Sequence, residues 1–194
     1  NDFQGENFTT KKQTLGAIYI VRDPRNIISS MSNHYSFSLD QAFEKLIDKE
    51  ASLSEKSANG DCSNFTFLGS WSDHYKSWRD TKEFKVLFIK YEDLKNKKYE
   101  ILKEIINFIE NLKKTNEKFD EVKFMNSVNS TNFANLKNKE LNEKFDESVF
   151  SKDGKKTIFF NLGFKNKWQK LLSKDMINKV NNSLKKELSE LNYE

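Results

Sequence analysis

The chain has 194 residues, enough for one domain with a buried core, and 17 Phe, 6 Tyr and 3 Trp supply the bulk for it. Its 33 basic and 29 acidic residues leave a mild, interspersed net charge of +4, which argues against a nucleic-acid protein, and no apolar run approaches the ~20 residues of a membrane span. A single cysteine, Cys62, excludes an internal disulfide and fits a reducing, cytoplasmic setting; with only two histidines beside it, no metal site is expected.

Residues 1–14 are polar and read as a loop. Gly16 to Val21 is apolar at both parities and reads as a strand buried on both faces. A helix follows from about Asn26 to Tyr35, carrying Ile27, Ile28 and Met31 at helical spacing. A second helix spans Leu39 to Lys49, with Ser38 or Asp40 near its cap. Residues 52–69 read as irregular. Residues 70–79 form a helix with Trp71, Tyr75 and Trp78 on one face. Lys85 to Lys90 is a second buried strand, ending at Tyr91.

Residues 98–112 form an amphipathic helix with Leu102, Ile105, Ile106 and Ile109 inward. Shorter helices are expected over 119–127 and 133–139, then a long polar loop over 142–162. The last helix runs from about Lys174 to Leu191, with Ile177, Val180, Leu184, Leu188 and Leu191 as its buried stripe. Strands alternating with helices mean an α/β fold with a parallel sheet flanked by helices, in one domain over residues 1–194.

The chemistry concentrates at one turn. Only three of the 33 basic residues are arginines, and two of them bracket the only proline in Arg22-Asp23-Pro24-Arg25. A chain that uses Lys almost everywhere keeps Arg where a planar, bidentate fork is needed, and such a fork fits phosphate or carboxylate. The cluster lies between a strand end and a helix start, where open α/β sheets bind ligands. Ser30 stands eight residues after Arg22, at least a turn into the helix. The spacing leaves two readings open: both side chains converge on one oxyanion, or Arg22 pairs with a carboxylate and Ser30 is a small packing residue. Asp23 is placed to cap the helix, and Arg25 to cap or pair locally.

The segment from Tyr19 to Ser30 resembles the 3′-phosphate-binding segment of sulfotransferases that use 3′-phosphoadenosine 5′-phosphosulfate (PAPS). In that family an Arg at the strand end and a Ser eight residues later hold the cofactor's 3′-phosphate, which implies that role for Arg22 and Ser30. Four further segments follow in the family's order. Gly69-Ser-Trp71 with His74 resembles its Gly-Ser-Trp segment. Val86 to Leu94 resembles the strand whose terminal Tyr approaches the adenine, which makes Tyr91 a cofactor residue. Thr131-Asn-Phe133 resembles its Thr-Ser-Phe segment, in which Thr131 and Phe133 would contact the adenine. Phe160 to Trp168 resembles the late Arg-Lys-Gly segment. Gly163 and Trp168 match there, but Asn161 and Leu162 replace the two basic residues, and Asn166-Lys167 replaces Gly-Asp. Either Lys165 or Lys167 then supplies charge from nearby, or the loop is simply less cationic.

The resemblance implies a three-layer fold of the P-loop-NTPase kind. It implies transfer of a sulfuryl group from PAPS to a hydroxyl or amine of a small-molecule or glycan acceptor, with 3′-phosphoadenosine 5′-phosphate (PAP) as product and no metal. The family's first strand, its Lys-bearing phosphosulfate loop and its general base match nothing in residues 1–15. The catalytic residues are therefore expected upstream of Asn1, with this chain as the 3′-phosphate and adenine side of the site. His34, twelve residues after Arg22, is an exposed helix-end residue or an acceptor-pocket residue, and His74 is structural. Acceptor choice is expected in residues 50–68 and 140–160, and the oligomeric state is left open. A nucleotide-kinase-like enzyme and a non-catalytic adenine-nucleotide module are the other readings of such a strand-turn-helix site.

Overall fold

The computed structural model describes residues 12–56, 62–115, 118–142, 149–150, 154 and 156–193. Most of the loop expected over residues 1–14 lies outside them. Strand β1 (Gly16–Val21) pairs in parallel with β2 (Lys85–Lys90), from Gly16 opposite Lys85 to Val21 opposite Lys90. Between them run helices α1 (Pro24–Tyr35) and α2 (Leu39–Ile47), a hairpin of β3 (Ser52–Lys56) with β4 (Cys62–Phe67), and α3 (Trp71–Asp80). After β2 come α4 (Tyr91–Asn96), α5 (Lys98–Lys113), α6 (Glu121–Ser130) and α7 (Phe133–Asn142). A two-residue pair, β5 (Val149–Phe150) with β6 (Lys156–Thr157), precedes a tight helical turn over Gly163–Lys165. Helices α8 (Trp168–Leu171), α9 (Lys174–Ser183) and α10 (Lys185–Glu190) close the chain. The fold is α/β, with α3 and α5 packed against the parallel pair. Among the described residues, no helix is long and apolar enough to cross a membrane.

Local chemistry explains where the site-bearing elements begin. Helix α1 starts at Pro24, two residues earlier than the apolar spacing indicates. Proline presets the first helical turn, and the Asp23 carboxylate caps it by accepting the Arg25 N–H at 2.9 Å. Ser38 and Gln41 form a reciprocal capping box on α2, while Ser70 and Ser173 cap α3 and α9. Gly16 is required by close packing, because a Cβ there would lie 2.6 Å from Leu112 and 2.9 Å from the Lys85 carbonyl. The core gathers Val21 and Ile28 with Phe43, Tyr75, Val180 and Leu188.

Several expectations are corrected. Within the stretch 52–69 expected to be irregular, Ser52–Lys56 and Cys62–Phe67 pair as antiparallel strands, and residues 57–61 lie outside the described residues. A two-stranded ladder with a solvated face needs no continuous apolar run, so its polar sequence concealed it. The 142–162 segment contains the β5–β6 pair; residues 143–148, 151–153 and 155 lie outside the described residues. The last helix is two, broken at Leu184 (φ −119°, ψ 23°), although Val180, Leu184, Leu188 and Leu191 are buried as expected. Ile109 stays 40% exposed, because the α5 stripe turns toward Phe108 and Leu112, which reaches Gly16. β1 is not covered on both faces among the described residues: Ile18 and Ile20 are 38% and 49% exposed.

On the covered side, Tyr19 stacks on Phe88 and its hydroxyl meets His74 Nδ1 at 2.8 Å, tying β1 to α3. Burial pushes the Tyr19 phenol up to about 12 and holds His74 below its ordinary value of 6.5. A His whose folded pKa is lowered takes up its proton more readily when unfolded. Its share of the stability is therefore present above pH 6.5 and is lost as the pH falls through the folded value. Denaturant unfolding at about pH 7.5 and about pH 5.5 checks this: His74→Gln should shrink the acid loss of stability between the two. An unchanged loss would mean that other groups carry it.

Candidate functional site

A cavity of about 690 Å³ opens where β1 ends. Its walls are α1, the starts of α4 and α5, the turn between α6 and α7, and the segment 159–166. Arg22, Ser30, Tyr91, Thr131, Phe133 and Gly163 all line it, so the six residues expected to form one site do share one cavity.

Arg22 leaves β1 one residue after its last ladder pair. Its Nη1 donates toward Ser30 Oγ at 3.4 Å, and its guanidinium lies 4.4 Å over the Tyr91 ring. Its Nε is buried with no partner, and no carboxylate pairs with Arg22 among the described residues. An orphaned, buried, charged donor is costly to leave unmet, and it points to an anion as the intended partner.

Ser30 is embedded in a network. Its hydroxyl donates to the Asn26 carbonyl at 3.2 Å and accepts from Asn166 Nδ2 at 3.0 Å. Asn166 also donates to the Asn26 carbonyl at 3.0 Å and accepts from Ser29 Oγ at 2.8 Å. The Asn26 side chain accepts the Trp168 N–H at 3.1 Å. Asn166, which differs from the family's Gly, therefore fastens the late segment to α1. The alternative of Arg22 paired with a carboxylate does not form among the described residues.

Arg25 is the opposite case. It is 4% exposed, clamps both Asp23 carboxylate oxygens, and donates to Asn181 Oδ1 at 3.2 Å and to the Tyr193 carbonyl. Its other face lies 4.0 Å over Trp168. Local pairing is thus its role, as expected.

Tyr91 opens helix α4 instead of ending a strand, and its ring lies beneath the Arg22 guanidinium. Thr131 caps α6 and donates its hydroxyl to the Ser127 carbonyl at 2.7 Å. Phe133 begins α7 and lies against Gly163, whose φ is +52°; a Cβ there would be 2.4 Å from the Phe133 ring. Lys165 and Lys167 are exposed and do not line the cavity, so neither replaces the basic pair missing at Asn161 and Leu162.

Cationic lining comes instead from Lys95 and Lys98, which sequence reasoning missed. Lys98 Nζ donates to the Val128 carbonyl at 2.8 Å. Reading Tyr91 as a strand end hid Lys95, which follows it by one turn of α4; Lys98 opens α5 beyond the break at Lys97 (φ −135°), and no spacing signals its approach to the cavity. His34 does line the cavity, edge-on to Phe159. His74 belongs elsewhere, bonded to Tyr19 as a structural residue.

A family model described as a sulfotransferase domain matches residues 7–192. Among solved structures, the chain is similar to the crystal structure of mouse sulfotransferase SULT7A1 complexed with PAP, with a TM-score of 0.58 and 22% sequence identity. The alignment covers 88% of this chain and 57% of that one, so the chain spans little more than half of that protein's length. At this identity the likeness speaks to the fold.

The two arginines should separate in a stability assay. Arg25→Ala leaves the buried Asp23 carboxylate uncompensated and should cost about 3–5 kcal/mol. Arg22→Ala removes no ion pair and should change stability by less than about 1 kcal/mol. Equal losses in denaturant midpoints would contradict the division of labour.

Proposed function

Because the chain belongs to the sulfotransferase domain family, we propose that its cavity binds the 3′-phosphate and adenosine of PAPS in a sulfuryl-transferring enzyme. Family membership sets aside the kinase-like reading. The carrying observation is Arg22, half-buried, whose buried Nε has no partner and which pairs with no carboxylate among the described residues, directed with Ser30 into a cavity that also holds aromatic rings.

When bound, the donor supplies an activated sulfuryl group, which passes to an acceptor hydroxyl or amine and leaves PAP. Arg22 and Ser30 hold the 3′-phosphate, with charge from Lys98 and Lys95 nearby. Phe133, backed by Gly163, and Thr131 take the adenine edge and face. Tyr91 supports the Arg22 guanidinium from below and so fixes the fork before the ligand arrives. The 3′-phosphate is remote from the reacting sulfur, so energy from its binding serves to align the donor.

The acceptor enters a second cavity of about 390 Å³ on the other side of α1, which shares Met31 and Tyr35 with the first. Its lining includes Ala51, Ser52, Leu53 and Leu68 from the segment expected to set acceptor choice. Of its charged residues, Lys45 is paired with Asp48 at 3.0 Å and His74 is held toward its neutral form by burial. Such a lining favours an uncharged, apolar alcohol or phenol over an amine, which would lack a carboxylate to meet it.

Titration with PAP tests the first assignment. Arg22→Ala should weaken binding about a hundredfold or more, since a charged fork is lost. Ser30→Ala should cost less, roughly 1–3 kcal/mol. Unchanged affinity in Arg22→Ala overturns the assignment. For the second cavity, Leu53→Asp should weaken binding of 2-naphthol and leave PAP affinity intact; no change in 2-naphthol binding moves the acceptor elsewhere.

A further inference from the structure

The cavity wall built by residues 159–163 carries none of the family's basic pair, and its backbone is gripped by α7. Glu140, in the last turn of α7, is 1% exposed. Its Oε1 accepts the Phe159 N–H at 2.6 Å and its Oε2 accepts the Phe160 N–H at 2.8 Å. No cation meets this carboxylate among the described residues; Lys156 Nζ bonds to the Glu140 backbone carbonyl instead, at 3.2 Å. A buried carboxylate costs free energy unless its oxygens are met, and here two backbone N–H groups meet them.

The same face of α7 makes the next contacts along the segment. Lys137 Nζ donates to the Asn161 carbonyl at 3.2 Å, and the Phe133 ring lies against Gly163. Phe133, Lys137 and Glu140 are spaced i, i+4, i+7, one stripe of a helix. Grip therefore falls on residues 159, 160, 161 and 163 in order. Beyond the grip, Asn161 Nδ2 reaches Asn33 Oδ1 on α1 at 2.9 Å, and the Phe159 ring meets His34. The segment is a strap from α7 to α1 across the cavity.

We propose that Glu140 is a positioning residue of the nucleotide site: its carboxylate fixes the Phe159–Gly163 strap to α7 and so sets the adenine-side wall formed by Gly163 and Phe133. This rests on the nucleotide reading above. Glu140 touches no ligand and acts through the backbone of the strap. Its loss should weaken every adenine ligand alike, with or without a 3′-phosphate. Loss of Arg22 acts only on ligands that carry one.

The test compares wild type, Glu140→Gln, Glu140→Ala and Arg22→Ala in the full chain, with PAP and adenosine 5′-monophosphate as probes. Glu140→Gln keeps size but presents one amide NH₂ to a backbone N–H. It should raise the Kd of both probes by the same factor, roughly tenfold or more. Amide exchange at Phe159 and Phe160 should accelerate in that variant while β1 and α1 keep their protection. Arg22→Ala should affect PAP alone. If Glu140→Ala does not fold, Glu140→Gln decides. The proposal is overturned by wild-type affinity in Glu140→Gln, by exchange at Phe159 and Phe160 that does not change, or by protection lost equally throughout the fold. A wild-type chain that binds neither probe overturns the nucleotide reading itself, and exchange at the two amides then judges the clamp alone.

Discussion

The buried Asp23–Arg25 pair is the constraint on which the site depends. Desolvating both charges is expensive, and attraction between them offsets that only when the remaining donors and acceptors are met. Here they are. Asp23 takes the Arg25 backbone N–H and the side chain; Arg25 takes Asn181, the Tyr193 carbonyl and the Trp168 face. These partners come from α1, α8, α9 and the chain's last described residue, so one turn joins the ends of the fold. With Arg25 committed inward, Arg22 leaves β1 on the cavity side. The third arginine, Arg79, is also committed, to Asp80 and Glu190. Arg22 is thus the one arginine in the sequence without a carboxylate among the described residues.

Helix α1 converts that turn into a site with two sides. Asn26, Ser30, Asn33 and His34 follow a helical stripe toward the first cavity, while Met31 and Tyr35 face both cavities. Asn and Ser are mediocre helix formers because their side chains compete for backbone groups. In α1 that competition is used. Asn26 accepts the Trp168 N–H, and its carbonyl draws bonds from Ser29, Ser30 and Asn166. Polarity that weakens the helix locally is what binds the late segment to it, and a helix held at both faces can divide two cavities without shifting.

How much of this was legible in the sequence follows from how local each feature is. The Arg22–Ser30 relation spans one strand end, one turn and one helical turn, so spacing offered their convergence as one of two readings and resemblance chose it. Tyr91, Thr131, Phe133 and Gly163 were legible through resemblance, and the structure places them in one cavity by packing that no spacing encodes. The pairing of Ser52–Lys56 with Cys62–Phe67 was missed because a solvated ladder has no apolar run to display. Lys95 was missed through one wrong element boundary, since only as a helical residue does Tyr91 bring it to the same face, while Lys98 opens the next helix and reaches the cavity by packing alone. Glu140 was illegible for a stronger reason. On the polar helix Phe133–Asn142 a lone Glu reads as a solvated charge, and its burial is created by backbone N–H groups of Phe159 and Phe160, which any residue types would supply.

The hydrogen bonding also ranks the two residues proposed to hold the 3′-phosphate. The Ser30 hydroxyl already donates to the Asn26 carbonyl, so turning it to an incoming oxyanion exchanges one bond for another and leaves that carbonyl to Asn166 and Ser29. Arg22 gives up almost nothing, because its Nε has no partner and its one bond, at 3.4 Å, is long. The Tyr91 ring beneath it and Ser30 beside it already restrict the guanidinium, so little rotamer freedom remains to be lost on binding. The desolvation of the Arg22 Nε has been incurred in folding, and an anion meeting it recovers that cost. The site is therefore strained toward a negatively charged partner at one residue, and only adaptable at the other.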